Sequence, residues 1–469
     1  MGDGLRRWLQ RAKEMGLVRE IDGADWDLEI AYLTFLNAEK KGSALLFDHI
    51  KGYSEGFRVL TCSLLSSGCM ALTLGLPQGL SEKEYTQLLS QRFLQWEANL
   101  TKFAPRVVKE GPVLENIWKG KEIDLLRFPS PKWHEKDGGR YIGTGCAVIT
   151  KDPETGAVNL GTYRIMLHDK NTVGIYITPA NHGLRHIAKY HAKGRPAPVA
   201  VSLGHHPLIF AAASGKFPEG AEYSYAGAMG SEPIEVIEEE VTGLPIPADG
   251  EIVIAGWCPP GKTRKEAPFG EFTGYYGVER DSPVIEIERV YFRSKPVIVG
   301  SPPWRSCTES SYLNLMTNVM LERRLKGAGL TDIVAVHNQE IRGNYVLTVS
   351  IKQKYAGEAK QIGHYLASLS SGRYVIVVDE DINITDPLEV LWAIGTRSDP
   401  ERDIDIARRV PANPLDPLVK KSLGAEFGSR AIIDACKPYE WREEFPEALE
   451  LNPELVKQVT EKWGKALDS

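Results

Sequence analysis

The chain has 469 residues, 42% of them hydrophobic and 25% charged, and a formal net charge of -6. That length predicts about three domains with a substantial apolar core. The mild acidity, with no basic stripe and no basic amphipathic segment, argues against nucleic-acid and membrane-surface partners.

The first segment, residues 5–15, has helical periodicity with charges throughout. It lacks the apolar core of a secretory leader, so a cytoplasmic protein is expected. A second helix is predicted over 27–41, short strands over 44–47 and 57–61, and a Ser-capped helix over 81–96. The apolar stretch 59–76 is broken by Ser63, Ser66, Ser67 and Gly68, which argues against a spanning helix. Six cysteines (Cys62, Cys69, Cys146, Cys258, Cys307 and Cys436) form no CxxC pair and read as reduced core thiols. Residues 1–120 therefore read as an α/β region without a catalytic cluster.

Pro129 and Pro131 mark a connection. Repeated short β runs follow between about 142 and 299: CAVIT, NLGTYRIML, VGIYI, PVAVSLG, EIVIAG, VIEIERVYF and PVIVG. With Gly, Pro and Asn between them, they predict an antiparallel barrel or partly open barrel over 121–305. Helical insertions are expected at 184–192 and 207–214. From 306 to 469 the chain returns to α/β. Helices are expected at 313–325, at 357–369 and from Pro387, with strands at VLTVSIK and YVIVVDEDI. The last helix, 452–466, carries Leu455, Val456, Val459 and Trp463 on one face. It can dock on a neighbouring subunit or pack on its own.

The stretch EAPFGEFTGYYG, residues 266–277, places Glu266 and Glu271 on a loop with Pro268 and Gly270. Two acids beside an apolar wall cannot both ionise cheaply, so one should keep a proton near neutral pH, as a general acid must. A surface turn with solvated glutamates is the alternative. Upstream, Asn159, His182 and Glu222 are candidate metal ligands, each expected in a loop or at a strand end. An amide oxygen, an imidazole and a carboxylate suit Mn²⁺ or Mg²⁺ better than a closed zinc cage, although the spacing alone is not diagnostic. The pair His205–His206 reads as a structural turn. Arg164 ends NLGTYR. Strand alternation puts Leu160, Thr162 and Arg164 on one face and Asn159, Gly161 and Tyr163 on the other. A guanidinium near Glu266 and Glu271 would hold one carboxylate ionised and leave the other to carry the proton; a surface salt bridge is the alternative.

Taken together, NLGTYR, NHG, EYSYAG, EAPFGEFTGYYG, KQKYAGEAK and YVIVVDEDINITDPLEVLWAIGTRSDPERD, in that order, make the chain resemble the UbiD family of reversible decarboxylases. The resemblance covers nearly the whole length. It implies an N-terminal α/β region, a flavin-binding split β-barrel and a C-terminal α/β oligomerisation domain with a terminal docking helix. It implies prenylated FMN held by Asn159, Thr162, Tyr163, Arg164, Tyr176, Ile177, Thr178, Asn181, His182 and Glu222. Asn159, His182 and Glu222 would bind Mn²⁺ or Mg²⁺ on the cofactor phosphate. K⁺ would sit nearby, at the Ala213 and Ser214 carbonyls with Glu222. Arg164, Glu266 and Glu271 would form the catalytic network, with Glu271 as proton donor after CO₂ leaves a covalent adduct with the cofactor. The implied substrate is a small aromatic, heteroaromatic or α,β-unsaturated acid. Trp304 and Arg305 are candidate pocket residues, and a surface position is the favoured alternative for Arg305. The implied partners are CO₂, a flavin prenyltransferase as cofactor supplier, and further copies of the chain in a homodimer or homohexamer. Two other readings stay open: an assembly subunit of a multi-subunit carboxylase, which the intact acidic network argues against, and a flavin-independent metal hydrolase.

Overall fold

The computed structural model describes residues 4–179, 181–215, 217–305, 310–339, 345–369, 372–419, 427–449 and 451–467. Cys307 lies outside them, as do parts of the segment after Arg305. Among the described residues no helix is long and apolar enough to cross a membrane.

The chain opens with the helix Gly4–Glu14 and the strand Val18–Asp22, which pairs in parallel with Ala44–Asp48. The helix Glu82–Ala98 begins with a reciprocal cap, in which the Ser81 side chain accepts from Glu84 N–H and Glu84 returns the bond.

Among the described residues the centre is a ten-stranded sheet. Its path runs Arg140–Gly143, Arg164–Leu167, Thr172–Tyr176, Arg280–Phe292, Ile252–Cys258, Ala197–Gly204, Ala147–Lys151, Val158–Gly161. The strands Thr263–Glu266 and Asn116–Lys119 also pair with the long Arg280–Phe292 strand. The last strand of the path, Val158–Gly161, and the second, Arg164–Leu167, are consecutive in sequence, with only Thr162 and Tyr163 between them. Each residue spans at most about 3.6 Å, so the two ends of the sheet must lie close together. The sheet therefore curls into a split barrel.

This corrects one expectation. NLGTYR is not one strand with two faces: it is the end of one strand, a two-residue crossing and the start of another. Asn159 and Arg164 stand on strands at opposite ends of the sheet's path. Strand alternation cannot be carried across such a crossing.

Both faces of the central strands are buried. Val148, Val199, Val201, Ile252 and Ile254 feed one core, and Ala147, Ile149, Ala200, Val253 and Ala255 feed the other. That is why these strands read as unbroken apolar runs. Helices Glu82–Ala98, Pro207–Ser214 and Glu222–Gly230 contribute to the second core.

The run PVIVG differs from expectation. Val297–Gly300 leaves the barrel and pairs in parallel with Arg58–Thr61, completing a four-stranded N-terminal sheet. The chain rises on Arg280–Phe292 and, after four residues, enters the neighbouring sheet. The fully buried Glu251 carboxylate sits at this junction, bonded to Arg6 at 2.9 Å, to Arg293 at 3.2 Å and to the Val297 N–H at 3.3 Å.

In the C-terminal part a five-stranded sheet has parallel strands Val346–Ile351, Tyr374–Asp379 and Phe427–Ala435 at its centre. The acids ending YVIVVDEDI meet a turn. Asp379 accepts from Gln353 Nε2 at 2.8 Å and from the Lys437 N–H at 2.6 Å, while Arg397 forks onto Asp381 at 2.8 and 3.0 Å. The terminal helix Pro453–Leu467 leaves the side chains of Leu455, Val456, Val459 and Trp463 exposed among the described residues.

Candidate active site

Arg164 is the first residue of its strand, and Glu266 is the last residue of the short strand Thr263–Glu266. Arg164 forks onto Glu266, with Nε–Oε1 at 2.7 Å and Nη2–Oε2 at 2.8 Å. Its remaining nitrogen, Nη1, donates to Glu271 Oε1. Glu266 is fully buried and Glu271 is 5% exposed. The alternative of a solvated surface turn, and that of a surface salt bridge, are therefore both set aside. The fork matches the planar geometry of guanidinium to carboxylate, which a lysine cannot reproduce.

Burial opposes the Arg164 charge, but the Glu266 hydrogen bonds and both carboxylates outweigh it and hold its pKa above the ordinary value. For Glu271 burial dominates: its carboxyl is pushed above the ordinary value, with Arg164 and Arg280 opposing and Glu266 adding to the rise. Glu271 makes one contact with Arg164, whereas Glu266 holds two of its nitrogens. The environments of the two acids are thereby split, which favours the proton on Glu271.

The Glu271 loop is tight. Glu271 N–H donates to the Tyr275 carbonyl at 2.9 Å, and Gly277 N–H donates to the Phe269 carbonyl at 2.8 Å. A Cβ on Gly277 would stand 2.6 Å from Glu271 Oε1, so only glycine leaves the carboxyl its place.

Two members of this site, Tyr141 and Arg280, carry no sequence signal. Tyr141, fully buried, donates its hydroxyl to Glu266 Oε1 at 3.0 Å. The Arg164 guanidinium lies over the rings of Tyr176 at 4.6 Å and Phe269 at 5.1 Å, and Arg280 covers Tyr176 at 4.1 Å. Tyr141 and Arg280 belong to unremarkable strand sequences, and only the curl of the sheet brings them here.

Asn159 lies in the strand Val158–Gly161, while His182 and Glu222 are each the first residue of a helix, His182–Ala192 and Glu222–Gly230. The expectation of loops or strand ends is corrected for the latter two. The capping positions Asn181 and Ala221 give no side-chain cap, so both helix starts keep N–H groups for an anion. Tyr163, at the crossing between strands, interacts with the Asn159 side chain, the Gly183 backbone and Glu222. It thus gathers the strand and both helix starts.

Glu222 is 3% exposed, and burial pushes its carboxyl up to about 7. Its Oε2 meets no hydrogen-bond partner. His182 is half-buried, and its pKa is lowered, chiefly by burial, with Glu219 opposing. A neutral imidazole is the form that ligates a metal. Thr178 and Asn181 brace each other, with Asn181 Nδ2 donating to Thr178 Oγ1 at 2.5 Å. Ile177 is buried beside them.

One turn beyond His182 lies a second group: Asp152, His186 and Glu219, whose ligating atoms fall within 4.8 Å of one another. Lys189 already neutralises Asp152 at 2.6 Å, and His186 is held between Thr150 at 3.0 Å and Glu219 at 2.7 Å. His205 and His206 form a structural turn, with His206 Nδ1 accepting from the Leu208 N–H to cap Pro207–Ser214. Trp304 stacks on Phe35 at 4.5 Å and donates to Glu39 at 3.2 Å, while Arg305 is exposed.

Three family models match the chain in order. The N-terminal domain of 3-octaprenyl-4-hydroxybenzoate carboxy-lyase matches residues 9–89, its Rift-related domain 106–306 and its C-terminal domain 311–435. The chain is 32% identical to a phenolic acid decarboxylase of Streptomyces sp. (strain D7), over 93% of this chain and 92% of that protein. It is 29% identical to the pyrrole-2-carboxylic acid decarboxylase of Pseudomonas aeruginosa, over 94% and 93%. In structure it is similar to the enzyme HmfF of Pelotomaculum thermopropionicum in complex with FMN, with TM-score 0.84, 29% identity, and 97% and 98% of the two chains covered. An evolved dimeric form of HmfF, in complex with prFMN, matches with TM-score 0.80, at 28% identity over 97% and 98%.

Proposed function

The chain belongs to the UbiD family of carboxy-lyases, and on that premise we propose that it interconverts a small aromatic or heteroaromatic acid and its decarboxylated product, with Glu271 as the proton donor. The observation that carries this reading is Arg164 joining two buried carboxylates, one tightly forked and one holding a raised pKa.

Prenylated FMN with a divalent cation, Mn²⁺ or Mg²⁺, is the proposed cofactor. The donor set fits it. A buried carboxylate oxygen without a donor calls for a cation, and two uncapped helix starts suit a phosphate. Asn159, His182 and Glu222 would hold the cation, and K⁺ would sit by Ala213, Ser214 and Glu222. Thr162, Tyr163, Arg164, Tyr176, Ile177, Thr178 and Asn181 would flank the flavin. When bound, it supplies the electron sink that CO₂ loss from an sp² carbon needs and side chains lack.

The remaining work falls to this chain. Glu266 fixes Arg164, and Tyr141 fixes Glu266 from the other side. Arg164 holds Glu271 in one position. Glu271 delivers its proton to the carbon that has lost CO₂, and takes one from it in the carboxylation direction. The rings of Phe269 and Tyr141 exclude water from the pair. The exposed apolar face of the terminal helix supports a homo-oligomer.

The test is expression with a flavin prenyltransferase, followed by CO₂ release from a panel of phenolic and heteroaromatic acids. Glu271→Gln should keep the flavin absorbance and lose turnover. Wild-type turnover in Glu271→Gln would remove the proton-donor assignment. CO₂ release without any flavin absorbance would remove the flavin assignment.

A further inference from the structure

Glu271 directly follows Gly270, and what fixes Gly270 fixes the acid. Its N–H donates to Asp137 Oδ1 at 3.2 Å. Asp137 is in turn held by His134: the backbone N–H donates to Oδ2 at 2.9 Å, and ring Nδ1 lies 3.2 and 3.3 Å from the two carboxylate oxygens. The other ring nitrogen, Nε2, donates to the Pro303 carbonyl at 2.8 Å, since a carbonyl only accepts. The imidazole, 6% exposed, is boxed in by rings. Phe35 and Trp304 are stacked with it at 21° and 22°, and Phe269 and Tyr276 are edge-on at 86° and 81°. A Cβ on Gly270 would meet this ring at 2.4 Å, so the loop lies directly against it. The next residue along from Asp137 closes the arrangement, with Gly138 N–H donating to the Pro268 carbonyl at 2.8 Å.

We propose that His134, acting through Asp137, is a positioning residue for the Glu271 carboxyl, and that it ties the acid's loop to the segment at Pro303. This rests on the reading of Glu271 as proton donor. The imidazole touches none of Arg164, Glu266 and Glu271. It sets where Gly270 lies and presses on Phe269, the ring beneath the Arg164 guanidinium. Geometry at a reacting group is worth a great deal: a misplacement of about 1 Å can cost about 100-fold in rate.

The experiment compares His134→Leu and His134→Asn in the flavin-loaded enzyme. Leucine removes both ring contacts. Asparagine puts an amide group near the Nδ1 position, where its N–H can donate to Asp137. Expected for His134→Leu is a kcat lower by about 10- to 100-fold, with KM and flavin content unchanged. His134→Asn should recover most of the loss. A second readout needs no flavin: the infrared carboxyl band of ¹³C-labelled Glu271, isolated by subtracting the Glu271→Gln spectrum. The groups facing Glu271 are Arg164, Glu266 and Arg280. In His134→Leu its titration should fall toward the ordinary glutamate value, because burial is the largest cause of the rise. The assignment is overturned if His134→Leu turns over like wild type, if its loss only tracks flavin loss, or if His134→Asn is no better than leucine. An inactive Glu271→Gln beside a fully active His134→Leu sinks this inference alone, whereas an active Glu271→Gln sinks the proton-donor reading.

Discussion

Glu222 offers a perturbation whose size can be worked out from the fold. Its side chain is 3% exposed, one oxygen meets no donor, and the carboxyl titrates near 7 rather than the ordinary 4.5. The folded state therefore binds this proton more tightly than the open chain does. The stability this contributes is present below pH 4.5 and is lost as pH rises to 7, then stays constant. The loss comes to about 3 kcal/mol. Glu222→Gln keeps the shape and removes the titration. In metal- and flavin-free protein, urea unfolding at pH 5 and pH 8 should show wild type losing about 2–3 kcal/mol more than the variant. Taking the difference between the two proteins cancels other groups, such as Asp249, whose buried carboxyl is pushed up to about 6. Mn²⁺ at pH 8 should restore stability to wild type and not to Glu222→Gln, because a cation replaces the proton. Parallel pH profiles, or equal stabilisation of both proteins by Mn²⁺, would refute the argument.

Two further outcomes follow from the Glu271 loop. Gly277→Ala puts a methyl 2.6 Å from Glu271 Oε1 and should lower CO₂ release while flavin content holds; an unchanged rate would show that the loop yields without moving the acid. Because burial raises the Glu271 pKa, decarboxylation should be at a plateau on the acid side and decline as pH rises through that value, when the donor loses its proton. A kcat that climbs with pH past neutrality would contradict this.

Much of the site was legible in the residues. Two acids flanking Pro268 and Gly270 beside aromatic residues read as either a buried pair or a solvated turn, and the burial of both side chains decides for the pair. The helix Glu82–Ala98 was legible, since its cap uses residues three apart. The face assignment of NLGTYR failed, because alternation is a local rule and the chain crosses between strands at Thr162 and Tyr163. The helix expected over 184–192 begins two residues earlier, at His182 behind Asn181, and the helix that Glu222 opens was missed because Ala221 offers no capping side chain. PVIVG looked like one more barrel strand, since a short apolar run does not say which sheet it joins.

The sequence by itself determined which chemical groups are available and which segments are apolar on both sides, because composition and short-range spacing act within a few residues. Only the tertiary structure decided what those groups meet. Arg164 reaches Glu266 and Glu271 from 102 and 107 residues away, and Tyr141 reaches Glu266 from 125. Contacts at that separation depend on how the sheet curls, and the curl is a property of all its strands together.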